Sequence, residues 1–469
     1  MYREQIDRYF DLHKDEIVEN IKRLVRIPSI ARPDLAQEGA PFGPVCRQAV
    51  DEAGKLASEL GLKSRIVDGY VIEIDMNDKT PEVGILAHLD VVPEGDGWET
   101  DPYDPQVRDG YIFGRGADDN KGPAVISLYA MKAAMEINPD LRKGCRTILG
   151  SAEEIGSPDL KYYRKDNECP PKTFSPDASY PVINIEKGSY GPFFGASWAN
   201  ETGARVLEIT GGTVGNVVPK RASAKVAEVT LRDVQAACDA VTAATGVTFV
   251  VTEENGAVRI AAEGMDAHAS RPHLGNNALT ALLQALNSLP LAPNTSREKL
   301  AALVKLFPHG DWDGAAIGVK MQDELSGALT LNFSICNWTE TGFKARFDSR
   351  VPICGNERNM KAVVDAALAA EGMPVLQDKP MKAPHHTPAE SPFVQTLLKV
   401  YEDYSGLKGE CKAIGGGTYA HGIPGAVAFG CSFPGDPSSN IHSSNERASI
   451  DRLMLSAKIF TAIILQECR

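Results

Sequence analysis

Two histidines and five carboxylates, spread from residue 88 to residue 442, are the side chains best suited to chemistry in this 469-residue sequence. His88 and Asp90 close an apolar run that reads as a buried strand, and positions i and i+2 of a strand face the same way. A metal-ligating imidazole usually gives its other ring nitrogen to a carboxylate, so the two could be a ligand and its orienting partner. The alternative is a core histidine followed by a turn-capping aspartate. Asp119 lies in the glycine loop GRGADDNKGP just before a helical stretch, where a helix N-cap is the competing role. Glu153 and Glu154 follow a predicted strand, and Asp177 precedes another, each also compatible with a plain acidic turn. His442, in NIHSSNE, could equally be a surface histidine. Together these residues offer two imidazoles and three carboxylates as ligands, with one glutamate to spare. That set suits two divalent ions bridged by a shared carboxylate, with zinc favoured by nitrogen and oxygen donors and manganese or cobalt also compatible.

The elements that must position these groups follow from periodicity. Helices are expected over residues 1–25 and 42–60, the second closed by Gly61. Strands are expected over 65–75, 83–88, Tyr111–Phe113, 145–152 and 181–185, with the glycine loop feeding an apolar helix after residue 120. Alternation of strands and helices up to residue 190 implies an α/β sheet. From about 191 the texture becomes α+β, and the α/β pattern returns near 384. The expected organisation is therefore a two-domain α/β protein, with residues 1–190 and 384–469 forming a discontinuous domain and 191–383 an inserted α+β lid.

Composition narrows the partners. A formal net charge of -13 argues against nucleic acid or an anionic membrane surface, both of which require basic patches. The first 25 residues mix charges through their apolar positions, unlike a signal peptide, and no apolar run approaches the ~18 residues of a membrane span. Nine scattered cysteines without a Cys-x-x-Cys pair suggest reduced thiols and a cytoplasmic location.

The ordered set HLDVVPEGDGW, GRGADDNKGP, the Glu153 and Glu154 pair, SPDA, GNVVP, AHASRP, GGGTYA and HSSNE resembles the di-zinc peptidase family of aminoacylase, carboxypeptidase G and carnosinase. The resemblance is strongest to the bacterial peptidase V-like dipeptidases, and it spans residues 88 to 446. It implies one metal on His88 and Asp177, a second on Glu154 and His442, and Asp119 bridging both. It further implies Asp90 as the support of His88 and Glu153 as the base that takes a proton from a metal-shared water. From the lid, His268 would stabilise the oxyanion and Arg350 would hold the substrate's carboxylate. Asn216, Gly416, Gly417 and Thr418 would complete the grip on a dipeptide. Asn120 departs from the pattern, since this branch often carries a second Asp there. The branch's enlarged lid implies a monomer in which closure of the lid completes the site.

The leading expectation is thus a metal-dependent dipeptidase. An N-acyl amino acid deacylase would use the same chemistry, and a non-catalytic peptide or amino-acid sensor would be expected to lack a ligand or the base.

Overall fold

The computed structural model describes residues 2–469, and the chain forms two compact units. The first runs to Ile185 and resumes over His386–Lys412 and Gly417–Arg469; the second comprises Glu186–His385 and Ala413–Gly416.

The first unit is α/β. Its sheet runs in the order Lys63–Val67, Val71–Asp75, Gly144–Gly150, Pro81–His88, Lys172–Ser175, Val427–Ala428, Val182–Glu186. Pro81–His88 lies between Gly144–Gly150 and Lys172–Ser175 and pairs with both in parallel. Parallel neighbours end at the same edge, the usual place for a ligand in an open α/β sheet. Helix Arg3–Val25 buries Ile6, Phe10, Ile17, Ile21 and Leu24, a spacing of three to seven residues that keeps one stripe inward. Helix Lys121–Ile137 is buried over most of its length, and it shares its core with Ile450–Glu467.

Two local expectations need correction. The single strand expected over 65–75 is a hairpin, because Asp68 and Gly69 both take positive φ (48° and 79°) and Tyr70 N–H bonds Val67 O at 2.9 Å. An Asp-Gly pair with two left-handed residues is a strong hairpin signal. The strand expected to reach Ala152 stops at Gly150, so Glu153 and Glu154 sit in a turn beyond the strand end.

The second unit is built on a seven-stranded antiparallel sheet, ordered Phe193–Ser197, Gly342–Arg350, Thr330–Thr339, Arg205–Gly211, Arg221–Ala227, Ala257–Glu263, Thr248–Glu254. Helices Leu231–Thr245, Ala278–Asn287 and Thr295–Leu306 contribute to a core of its own that contains Phe194, Phe333, Trp338 and Phe347. Among the described residues no helix is long and apolar enough to cross a membrane.

Candidate metal centre

Sheet register brings the first donors together. His88 pairs with Gly150, the last residue of the neighbouring strand, and Glu153 and Glu154 follow three and four residues on, in the turn beyond its end. On the other side Ile85 pairs with Phe174, so Asp177 comes level with His88 three residues on. Asp119 is delivered by the loop ahead of helix Lys121–Ile137, where Asn120 occupies the N-cap position without a capping side chain. His442 comes from a loop just ahead of the last helix, with φ 60°.

The side chains converge. Asp119 turns Oδ1 towards His88 Nε2 at 3.0 Å and Oδ2 towards His442 Nε2, also at 3.0 Å. His442 Nε2 lies 3.1 Å from Glu154 Oε1, and His88 Nε2 lies 3.7 Å from Asp177 Oδ2. Donor atoms of His88, Asp119 and Glu154 fall within 4.8 Å of one another, as do those of His88, Glu153 and Asp177. Distance alone therefore allows Glu153 to be a ligand as well as a base.

Asp90 is buried with His88 but its carboxylate has a wider task than the one expected. His88 Nδ1 bonds the Asp90 backbone carbonyl at 3.0 Å, with the carboxylate Oδ1 at 3.4 Å. The two carboxylate oxygens instead accept the backbone N–H groups of Glu153 and Glu154, at 3.0 Å each. Asp90 thus fixes the turn that carries both glutamates. Asn120 Nδ2 donates to Asp177 Oδ1 at 3.3 Å, so the departure from a second Asp replaces a like-charge contact with a hydrogen bond. Residue-level reading missed Glu446, which is fully buried. Its Oε1 accepts the N–H groups of Gly116, Asp118 and Asp119, while Oε2 pairs with Arg115 at 2.7 Å. Both partners lie inside motifs already singled out, GRGADD and HSSNE, and that was the available signal.

The electrostatics show a site that demands positive charge. Burial pushes the Glu153 carboxyl well above its ordinary range, and the charge of Asp177 adds to the effect. Asp177 is raised to about 6 by burial and by Asp119. Burial alone would depress His88, but hydrogen bonds to Asp119, Asp177 and Asp90 raise it well above its usual value. Hydrogen bonds to Asp119 and Glu154 lift His442 to about 10. Burial would raise Asp119, yet the two imidazoles hold it below the ordinary carboxylate range. Without a metal, protons on the imidazoles balance the crowded carboxylates. Divalent cations would serve the same need, and nitrogen and oxygen donors fit them.

A pH dependence follows for metal-free protein. His442 titrates near 10 when folded and near 6.5 in its ordinary state, so its contribution is complete below about 6.5 and disappears as pH rises towards 10. Asp177, raised from 3.8 to about 6, also disfavours the fold as pH rises through that lower window. The melting temperature of chelator-treated protein should therefore fall between pH 6.5 and 10, with a shallower fall when divalent ions are present. A flat or rising profile for the metal-free protein would contradict this charge balance.

The second unit holds another cluster. Asn216 O accepts Ala269 N–H at 2.8 Å, so the GNVVP and AHASRP segments are hydrogen-bonded partners. His268 Nδ1 lies 2.7 Å from Ser270 Oγ. Arg350 Nε donates to Asp348 Oδ2 at 2.8 Å, and its Nη1 donates to Gly415 O next to Gly416. Burial raises the Asp348 carboxyl although Arg350 opposes the shift. Gly417 and Thr418 belong to the first unit, where Thr418 Oγ1 accepts Ala420 N–H at 3.1 Å.

A family model described as peptidase family M20/M25/M40 matches residues 84–466. The chain belongs to this family. A candidate dipeptidase of Bacillus subtilis (strain 168), YtjP, is similar to this M20 peptidase at 31% identity, covering 97% of each chain. The Beta-Ala-Xaa dipeptidase of Lactobacillus delbrueckii subsp. lactis is 30% identical, covering 97% of this chain and 96% of its own. The crystal structure of human carnosine dipeptidase 1 shares the fold, with a TM-score of 0.58 at 16% identity over 100% of this chain and 99% of that one.

Proposed function

We infer that this M20 peptidase is a metal-dependent dipeptidase that uses two divalent ions, zinc in the first instance. One observation carries the reading: the two oxygens of Asp119 face two different imidazoles at 3.0 Å, the arrangement a bridging carboxylate needs. His88 and Asp177 would hold one ion, Glu154 and His442 the other. The ions would supply Lewis-acid polarisation of the peptide carbonyl and would lower the pKa of water to about 7.

The chain's own residues do the rest. Glu153 is a half-buried carboxylate with a raised proton affinity, as a general base working near neutral pH requires. It accepts a proton from the attacking water and returns it to the amine nitrogen as the C–N bond breaks. Asp90 keeps Glu153 and Glu154 in place through their backbone N–H groups. In the second unit, Arg350 has the fork geometry for a substrate carboxylate, and His268 and Asn216 are suited to donate hydrogen bonds. The names of the similar proteins support a dipeptide as substrate, including one with an N-terminal β-alanine.

The deciding experiment strips the protein of metal, restores zinc, manganese or cobalt, and assays α-dipeptides, β-alanyl dipeptides and N-acetyl amino acids in parallel. Ion-dependent cleavage of dipeptides with little action on N-acetyl amino acids is expected. The opposite preference would make the enzyme a deacylase, and tight metal binding without turnover of any substrate would make it a sensor.

A further inference from the structure

Four consecutive backbone N–H groups, at residues 151–154, end on two buried carboxylates. Those of Glu153 and Glu154 go to Asp90. Those of Ser151 and Ala152 go to a single oxygen of Asp159, at 2.6 and 2.8 Å. The same Asp159 oxygen accepts the hydroxyl of Tyr419, and both side chains are buried. The contact depends on Gly150, because a Cβ there would lie 1.8 Å from the Tyr419 hydroxyl and 2.4 Å from Asp159 Oδ2. Tyr419 directly follows Thr418, and its ring stands edge-on to His88 at 6.2 Å between centroids.

We propose that Tyr419 and Asp159 are a positioning pair for this reaction, tying the segment at Gly417 and Thr418 to the turn that carries Glu153 and Glu154. The role rests on the dipeptidase reading for its catalytic consequence, but its structural part does not. With Asp90 fastening one half of the four-residue turn and Asp159 the other, the glutamate side chains have a fixed origin. The tyrosine makes that origin common to the neighbouring loop. Positioning partners of this kind are worth roughly 10- to 100-fold in activity.

Tyr419→Phe removes one hydrogen bond and little volume, so it is the first variant to make. Amide hydrogen exchange on metal-free protein should quicken at Ser151 and Ala152 and stay unchanged in the sheet core. With ions restored, kcat should fall roughly 10-fold while the bound-ion count stays at wild type. Asp159→Asn and the double variant complete a cycle in which the double should cost about as much as the larger single. Wild-type exchange at 151–152 in Tyr419→Phe, wild-type kcat, or additive losses in the cycle would each overturn the pairing. A wild-type protein that cleaves no dipeptide would instead overturn the dipeptidase reading, and the exchange measurement would still judge the pair.

Discussion

Replacing Glu153 with alanine is expected to leave both ions bound and to cut kcat by roughly 10²- to 10⁴-fold, the value of a well-placed general base. The backbone of the turn should survive, because Asp90 holds it through the N–H groups and not through the side chain. A second effect separates this variant from a damaged one. Glu153 stands beside Asp177, whose charge adds to the desolvation that raises its carboxyl, while Asp177 itself is raised by desolvation, Asp119 and Glu154. Removing one of them relieves that crowding, so metal-free Glu153→Ala should melt no lower than metal-free wild type. Ion content measured on the purified variant decides the competing role, since Glu153 also lies among possible ligand atoms with His88 and Asp177. Loss of one ion would make Glu153 a ligand, and near-wild-type turnover would place the base elsewhere.

The donor candidates came from motifs that carry the family resemblance, and the register of the parallel strands explains why His88, Glu153 and Asp177 come to one edge. Once 83–88 and the segment after 144 are taken as neighbouring strands, His88 and Glu153 must share an edge, whatever the loops do. Helix Arg3–Val25 and the inserted α+β unit were readable for a different reason, namely a clear change of hydrophobic period. What the sequence withheld were contacts that no periodicity encodes. Glu446 and Asp159 act on backbone N–H groups, which every residue has, so nothing in the spacing of side chains announces them. Asp90 shows the same limit in milder form. The His-x-Asp spacing predicted that the carboxylate orients the imidazole; the two lie 3.4 Å apart, but both carboxylate oxygens accept backbone N–H groups from a turn 63 and 64 residues away. Gly150 is legible only afterwards, when the tyrosine that fills its missing side chain is known.

The largest effect should come from Asp119, and the two possible substitutions make different demands. Alanine removes both oxygens that face His88 and His442, leaving two imidazoles without their shared counter-charge. Tight binding of both ions should be lost. Polarisation by bound metal is worth several kcal/mol, and each ~1.4 kcal/mol is tenfold in rate, so kcat should fall on the order of 10³-fold or more. Asparagine keeps nearly the same shape but has only one acceptor oxygen, with an NH2 group in place of the other. If Asp119 bridges, that variant should retain one tight ion per chain and lose the second, because the amide donates where the ion needs an acceptor. If Asp119 serves a single ion, the asparagine could turn its oxygen to that ion and hold two. Counting ions in Asp119→Asn by titration against a chelating indicator therefore tests the bridge itself, independently of whether any substrate is turned over.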